Sequence, residues 1–127
     1  MRVALDTNRL TDLFGGDGDL ASLLGKCEEV WLPLPVLGEI KAGFLGGNRA
    51  LPNELLLREF LLKPTVQVLL PGRETADHYA RLFVQLRRAG TPIPDNDLWI
   101  AALVLEKDLM LVTRDRHFES IPQLPRG

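Results

Sequence analysis

Four acids in this 127-residue chain carry the chemistry worth considering. Asp6 ends the apolar run Val3-Ala4-Leu5, and Asp97 opens Leu98-Trp99-Ile100-Ala101-Ala102. Asp115 follows Leu111-Val112-Thr113-Arg114, and Glu39 interrupts an apolar helix face between Gly38 and Ile40. Each has an ordinary structural use. Asp6 suits a helix N-cap. Glu39 and Asp97 suit the positive end of a helix dipole, an effect of about 0.3–1 kcal/mol. Asp115 suits a turn. Taken together, these uses require four independent coincidences. Convergence is the joint alternative, and it is electrostatically costly. Like charges about 4 Å apart repel by roughly 1–4 kcal/mol per pair at effective dielectrics of 80 to 20. Such a cluster must take up protons or bind a cation. Oxygen-only ligation selects Mg²⁺ or Mn²⁺ over zinc or copper, and carboxylate-held Mg²⁺ commonly serves phosphate chemistry.

Competing chemistries are poorly represented. Cys27 is alone, which excludes a disulfide within the chain and a Cys-based zinc cage. His78 and His117 are too few for a His-rich metal site. There is no phosphate-cradling Gly-Lys-Ser/Thr loop, no Gly-x-Gly-x-x-Gly sequence and no strong Ser-His-Asp arrangement. Fifteen Lys and Arg against 17 Asp and Glu give a net charge of −2, which excludes a strongly basic nucleic-acid coat or a polybasic membrane binder. A nucleic-acid enzyme with a local positive patch stays open. The apolar fraction of 46% and charged fraction of 25% are those of a globular domain, and the length suits one domain spanning residues 1–127. An acid at position 6 stands where a signal peptide needs an apolar core, and no apolar stretch is long enough to cross a membrane, so a cytoplasmic location is expected.

The elements that must position these acids are legible as alternating strands and helices. Val3–Leu5, Val30–Leu32, Val66–Leu70 and Leu109–Val112 read as strands. Helices are predicted over 9–14, 19–26, 35–45, 52–62, 73–89 and 96–107, and a short turn or helix over 115–119. This alternation predicts an α/β fold, a three-layer sandwich around a mostly parallel sheet of four to five strands. Ligands of such sheets bind beyond the C-terminal strand ends, at the switch in strand order. Asp6 and Asp115 both follow a strand closely.

Four segments, Leu5-Asp6-Thr7-Asn8, Gly38-Glu39-Ile40-Lys41-Ala42-Gly43, Asn96-Asp97-Leu98-Trp99-Ile100-Ala101-Ala102 and Leu111-Val112-Thr113-Arg114-Asp115-Arg116-His117-Phe118, together resemble PIN-domain nucleases. More narrowly, they resemble the VapC-type toxins of toxin–antitoxin pairs. The resemblance implies an α/β/α sandwich and a Mg²⁺- or Mn²⁺-dependent endoribonuclease that leaves 5′-phosphate and 3′-hydroxyl ends. It also implies homodimerisation and inhibition by a small cognate antitoxin. Its metal-binding and catalytic acids fall on Asp6, Glu39, Asp97 and Asp115, with Asp95 a rival for the third in a pre-helix turn. Thr7 and Thr113 match hydroxyl positions beside the acids, and Asn8 matches a residue that orients Asp6 or caps the next helix.

Arg9, Lys41, Arg114 and Arg116 are candidates for RNA phosphates, since the Arg fork bonds two oxygens at once. The near-neutral charge points to local recognition of a structured RNA such as tRNA. Trp99 reads as core or dimer surface ahead of stacking on a base, and His117 as a structural turn residue ahead of a donor to a leaving group. The Leu55–Leu62 ridge exceeds what one helix needs internally, so part of it suits a dimer or antitoxin face. Two other functions fit the same sequence less well: a non-catalytic interaction domain, and a receiver-like phosphoacceptor.

Overall fold

The computed structural model describes residues 1–127. In chain order the elements are β1 (Arg2–Leu5), α1 (Thr7–Phe14), α2 (Gly18–Gly25), β2 (Glu29–Pro33), α3 (Leu34–Gly46) and α4 (Ala50–Leu61). They continue with β3 (Val66–Leu69), α5 (Arg73–Ala89), α6 (Asp95–Lys107), β4 (Met110–Val112) and a closing 3-10 turn over Arg116–Ser120. The four strands form one sheet in the order β3-β2-β1-β4, and every pairing is parallel. The expected α/β sandwich is therefore present with four strands. A fifth position is reduced to a single parallel bridge, Leu111 to Arg126, along the outer side of β4.

The sheet is covered by helices on both sides. Side chains alternate across a strand, yet Val3, Ala4 and Leu5 are all fully buried, so both faces of β1 are packed. Helix α6 is buried on most of its circumference, from Leu98 through Ile100–Val104, and packs on α5, α3, β2 and β4. Burial all round explains why its apolar residues show weak periodicity. Thirty buried residues form one core cluster.

The strand order sets the location of the site. From β1 the chain moves outward through β2 to β3, then crosses back to place β4 on the opposite side of β1. The crevice beyond the C-terminal ends of β1 and β4 is thus the topological switch point, where the next residues are Asp6 and Thr113.

Several boundaries differ from expectation for local reasons. Helix α1 begins at Thr7 because Asp6 itself caps it, its Oδ1 accepting from Thr7 N at 2.8 Å. Helix α6 begins at Asp95, so Asp95 is its first residue and no part of a pre-helix turn. Helix α3 begins at Leu34, which places Glu39 in the second turn, past the reach of the N-terminal dipole.

Candidate active site

Asp6 is the hub. Its backbone N–H extends the sheet by donating to the Val112 carbonyl at 3.1 Å, and its carbonyl accepts the first bond of α1 from Leu10. The residue is therefore clamped between β1, β4 and α1, with 4% of its surface exposed. One carboxylate oxygen caps α1. The other, Oδ2, accepts from Thr113 Oγ1 at 2.7 Å and from Asn8 Nδ2 at 3.4 Å. Three donors ought to favour the ionised form, but burial outweighs them and Asp115 adds repulsion, so the carboxyl group is held above its ordinary value.

Thr113 and Asn8 tie the two strand ends together. Thr113 Oγ1 also accepts from Asp115 N at 2.9 Å, which sets the turn that presents Asp115. Asn8 Oδ1 accepts from Arg114 N at 3.2 Å. Asp115 in turn caps the 3-10 turn, accepting from His117 N at 2.9 Å. That turn is anchored by Phe118, which is fully buried.

Asp97 enters from the first turn of α6 and Glu39 from the second turn of α3. Asp97 is 9% exposed and raised above its ordinary value, first by burial, then by the charges of Asp115 and Asp6, with a hydrogen bond from His117 offsetting part. Glu39 is raised by burial and by the charges of Asp6 and Asp97. Each of these three acids feels the charge of another of the four, so Asp6, Glu39, Asp97 and Asp115 share one electrostatic neighbourhood, in which the donor atoms of Asp97, Asp115 and His117 all lie within 4.8 Å of one another. Glu39 and Thr7 line a cleft of about 420 Å³ that runs between α1 and α3 toward Asn53. Thr7 Oγ1 is buried there and makes no hydrogen bond of normal geometry, although it lies near enough to Glu39 to counter part of that rise. Of the two expected hydroxyl contacts, Thr113 makes a firm one, and Thr7 supports Asp6 through its backbone instead.

His117 belongs to this cluster, contrary to its reading as a structural turn residue. Its Nδ1 stands 2.9 Å from Asp97 Oδ2 and 3.2 Å from Asp115 Oδ1. The contact with Asp97 is the main reason its imidazole is held above its ordinary value. Asp97 lies twenty residues away in sequence, so no local pattern could have shown the pairing.

Other expected residues are turned elsewhere. Asp95 accepts a hydrogen bond from the Tyr79 hydroxyl, and the Tyr79 ring stacks on Trp99 at 4.2 Å. Asp95 thus fastens α6 to α5. Arg9 pairs with Asp12 at 2.8 Å and Asp17 at 3.4 Å. Arg114 grips both oxygens of Asp12, at 2.7 and 2.9 Å. These two arginines hold Asp12 below its ordinary value, Arg114 foremost. Lys41 pairs with Glu54 at 3.1 Å across α3 and α4. Arg116 is exposed and makes no ion pair. Asp12, which holds Arg9 and Arg114, was not among the expected residues; its place one turn after Asn8 on α1 was the available signal.

A catalytic reading of this arrangement agrees with what the chain is similar to. It is 37% identical over 65 residues to the protein named Ribonuclease VapC1 of Haemophilus influenzae, a match covering 50% of this chain and 48% of that one. The match thus spans about half the length of that curated relative. The fold also superposes on VapBC2 of Rickettsia felis, crystallised with a DNA fragment of its promoter. There the TM-score is 0.88 and the identity 25%, over 100% of this chain and 98% of the other. VapBC-1 of nontypeable Haemophilus influenzae matches with a TM-score of 0.87 at 24% identity, over 100% and 97% of the two chains, which supports the fold. Finally, the profile of the PIN domain matches residues 3–124, nearly the whole chain and a span that contains all four acids. With the parallel sheet and its acidic switch point, that match places the chain in the PIN domain family.

Proposed function

We propose that residues 1–127 form one nuclease domain, a metal-dependent endoribonuclease of the VapC type that acts as the toxin of a toxin–antitoxin pair. The observation that carries this reading is the convergence of Asp6, Glu39 and Asp97 with Asp115 at the switch point, where burial and mutual repulsion raise the first three. Three carboxyl groups held above their ordinary values form a site deficient in positive charge. The donors are chiefly oxygens, and a buried Thr7 hydroxyl lacks a partner beside them. These features fit Mg²⁺ or Mn²⁺, with Asp6, Glu39, Asp97 and Asp115 as the residues that would hold it. When bound, such an ion lowers the pKa of a water molecule and offsets charge developing on the phosphate.

The protein's own residues perform the remaining tasks. Thr113 and Asn8 hold the Asp6 carboxylate in one orientation, the role that outer partners play around ligating groups. Asp115 is presented by the turn that Thr113 sets. Arg114 and Arg116 flank it and suit the RNA backbone; because Asp12 grips Arg114, a phosphate must compete with that carboxylate. Lys41 and Arg9 lie within ion pairs and suit phosphates less directly. With a net charge of −2, affinity rests on this local patch, which supports a structured RNA as substrate.

The partners follow the same reading. The relatives are named as a ribonuclease and crystallised as VapBC assemblies, which supports a small antitoxin as partner here. Exposed Leu51, Leu55, Leu56 and Leu62 on and beside α4 suit an apolar contact with that antitoxin or with a second copy in a homodimer. No helix is long and apolar enough to cross a membrane, and a cytoplasmic location is part of the proposal.

The test is cleavage of a folded RNA by purified protein with Mn²⁺, with Mg²⁺ and with EDTA. Cleavage is expected with either ion, none with EDTA, and none for Asp6→Asn or Asp97→Asn proteins that retain the native circular-dichroism spectrum. Cleavage that persists in EDTA, or in both variants, would overturn the proposal. A folded protein that binds the antitoxin yet never cleaves RNA would make this an interaction domain.

A further inference from the structure

We infer that His117 is itself a ligand of the divalent cation, through Nδ1 and beside Asp97 and Asp115, and that it biases the site toward Mn²⁺ over Mg²⁺. This rests on the metal-dependent reading above and goes beyond its all-carboxylate donor set. Nδ1 lies 2.9 Å from one oxygen of Asp97 and 3.2 Å from one oxygen of Asp115, and the donor atoms of the three residues all lie within 4.8 Å of one another. Adjacent ligands on an octahedral ion with bonds of about 2.1 Å are separated by about 3 Å. The nitrogen thus already stands from each carboxylate as a neighbouring ligand stands on a shared ion. An ordinary surface ion pair brings a histidine to one acid; here a single ring nitrogen is shared by two acids from different elements.

The ring is also held in place. The His117 backbone N–H is bound to Asp115 Oδ1, and the next residue, Phe118, is sunk fully into the core. The His117 side chain is half-exposed, so a hydrated ion can reach Nδ1 from solvent. In the tautomer that carries its proton on Nε2, the imidazole offers the Nδ1 lone pair to the ion. Imidazole nitrogen suits transition metals, whereas Mg²⁺ keeps to oxygen and water, so the added nitrogen favours Mn²⁺.

Pulsed electron paramagnetic resonance of the Mn²⁺-loaded full chain tests this without any assay of activity. The expected spectrum shows a directly coordinated ¹⁴N that becomes ¹⁵N when histidine imidazoles are ¹⁵N-labelled. That coupling should vanish in His117→Gln and persist in His78→Gln. Calorimetric titration should show the preference for Mn²⁺ over Mg²⁺ falling about tenfold in His117→Gln. The wild-type spectrum needs no variant, so misfolding of His117→Gln cannot obscure the result. Bound Mn²⁺ without nitrogen coupling, or coupling that survives in His117→Gln, would overturn the assignment while leaving the carboxylate site standing. Failure to bind either ion would overturn both.

Discussion

Asp6 serves two purposes at once, and neither displaces the other. One oxygen caps α1, as any Asp before a helix would, while the second is held by Thr113 and Asn8 toward the other acids. Thr113→Val keeps the side-chain shape and removes both the bond to Asp6 and the acceptor for Asp115 N. Its expected effect is a drop of about 10–100-fold in metal affinity or in RNA cleavage, measured by calorimetry and by single-turnover kinetics. The raised acids give a second prediction, for metal-free protein. A carboxyl group whose folded value exceeds its unfolded one, 3.8 for Asp, contributes stability that is complete below the unfolded value. That contribution is lost as pH rises through the folded value. Scanning calorimetry in EDTA should therefore show this contribution to the melting temperature shrinking as pH climbs above 3.8. The slope should be shallower in Asp6→Asn, and added Mg²⁺ at neutral pH should restore stability. At this scale the four acids were legible because each stands at or within an apolar segment. The pairings of His117 with Asp97 and of Arg114 with Asp12 were not, since they join residues 20 and 102 positions apart.

Elements were legible where local chemistry alone decides them. Helix α5 ends at Gly90, whose φ of 72° is the left-handed conformation that glycine adopts without a Cβ penalty. Helix α6 ends differently, at Asp108 with φ of 57°. These two ends give opposite predictions. Gly90→Ala should destabilise by about 1–2 kcal/mol, whereas Asp108→Gly should stabilise by about 0.5–1 kcal/mol, both read from urea midpoints. The caps explain why 73–89 was predicted with its observed bounds, while α1 and α6 began earlier than their apolar patterns did. Pattern marks where packing starts; a helix starts at the residues before it, which face the site. In α1 these are Thr7 and Asn8, and in α6 it is Asp97, whereas Asp95 turns to Tyr79 on α5.

At the scale of the molecule, alternation of strands and helices foretold the α/β class, but strand order lay outside the reach of local pattern. The placement of β4 beside β1 depends on their parallel pairing and on α6 packing against α3 and β2, contacts between segments far apart in sequence. That placement brings Asp115 to Asp6, and with it the whole acidic crevice. The PIN domain family supplies the same architecture in its VapBC neighbours. Central to the proposed function is a crevice built around a hard divalent cation. Crystals soaked in millimolar Mn²⁺ and measured near the manganese absorption edge test it most directly. The expected result is an anomalous peak within about 2.0–2.6 Å of carboxylate oxygens drawn from Asp6, Glu39, Asp97 and Asp115. A map with no peak there, or with its manganese bound only elsewhere on the surface, would contradict it.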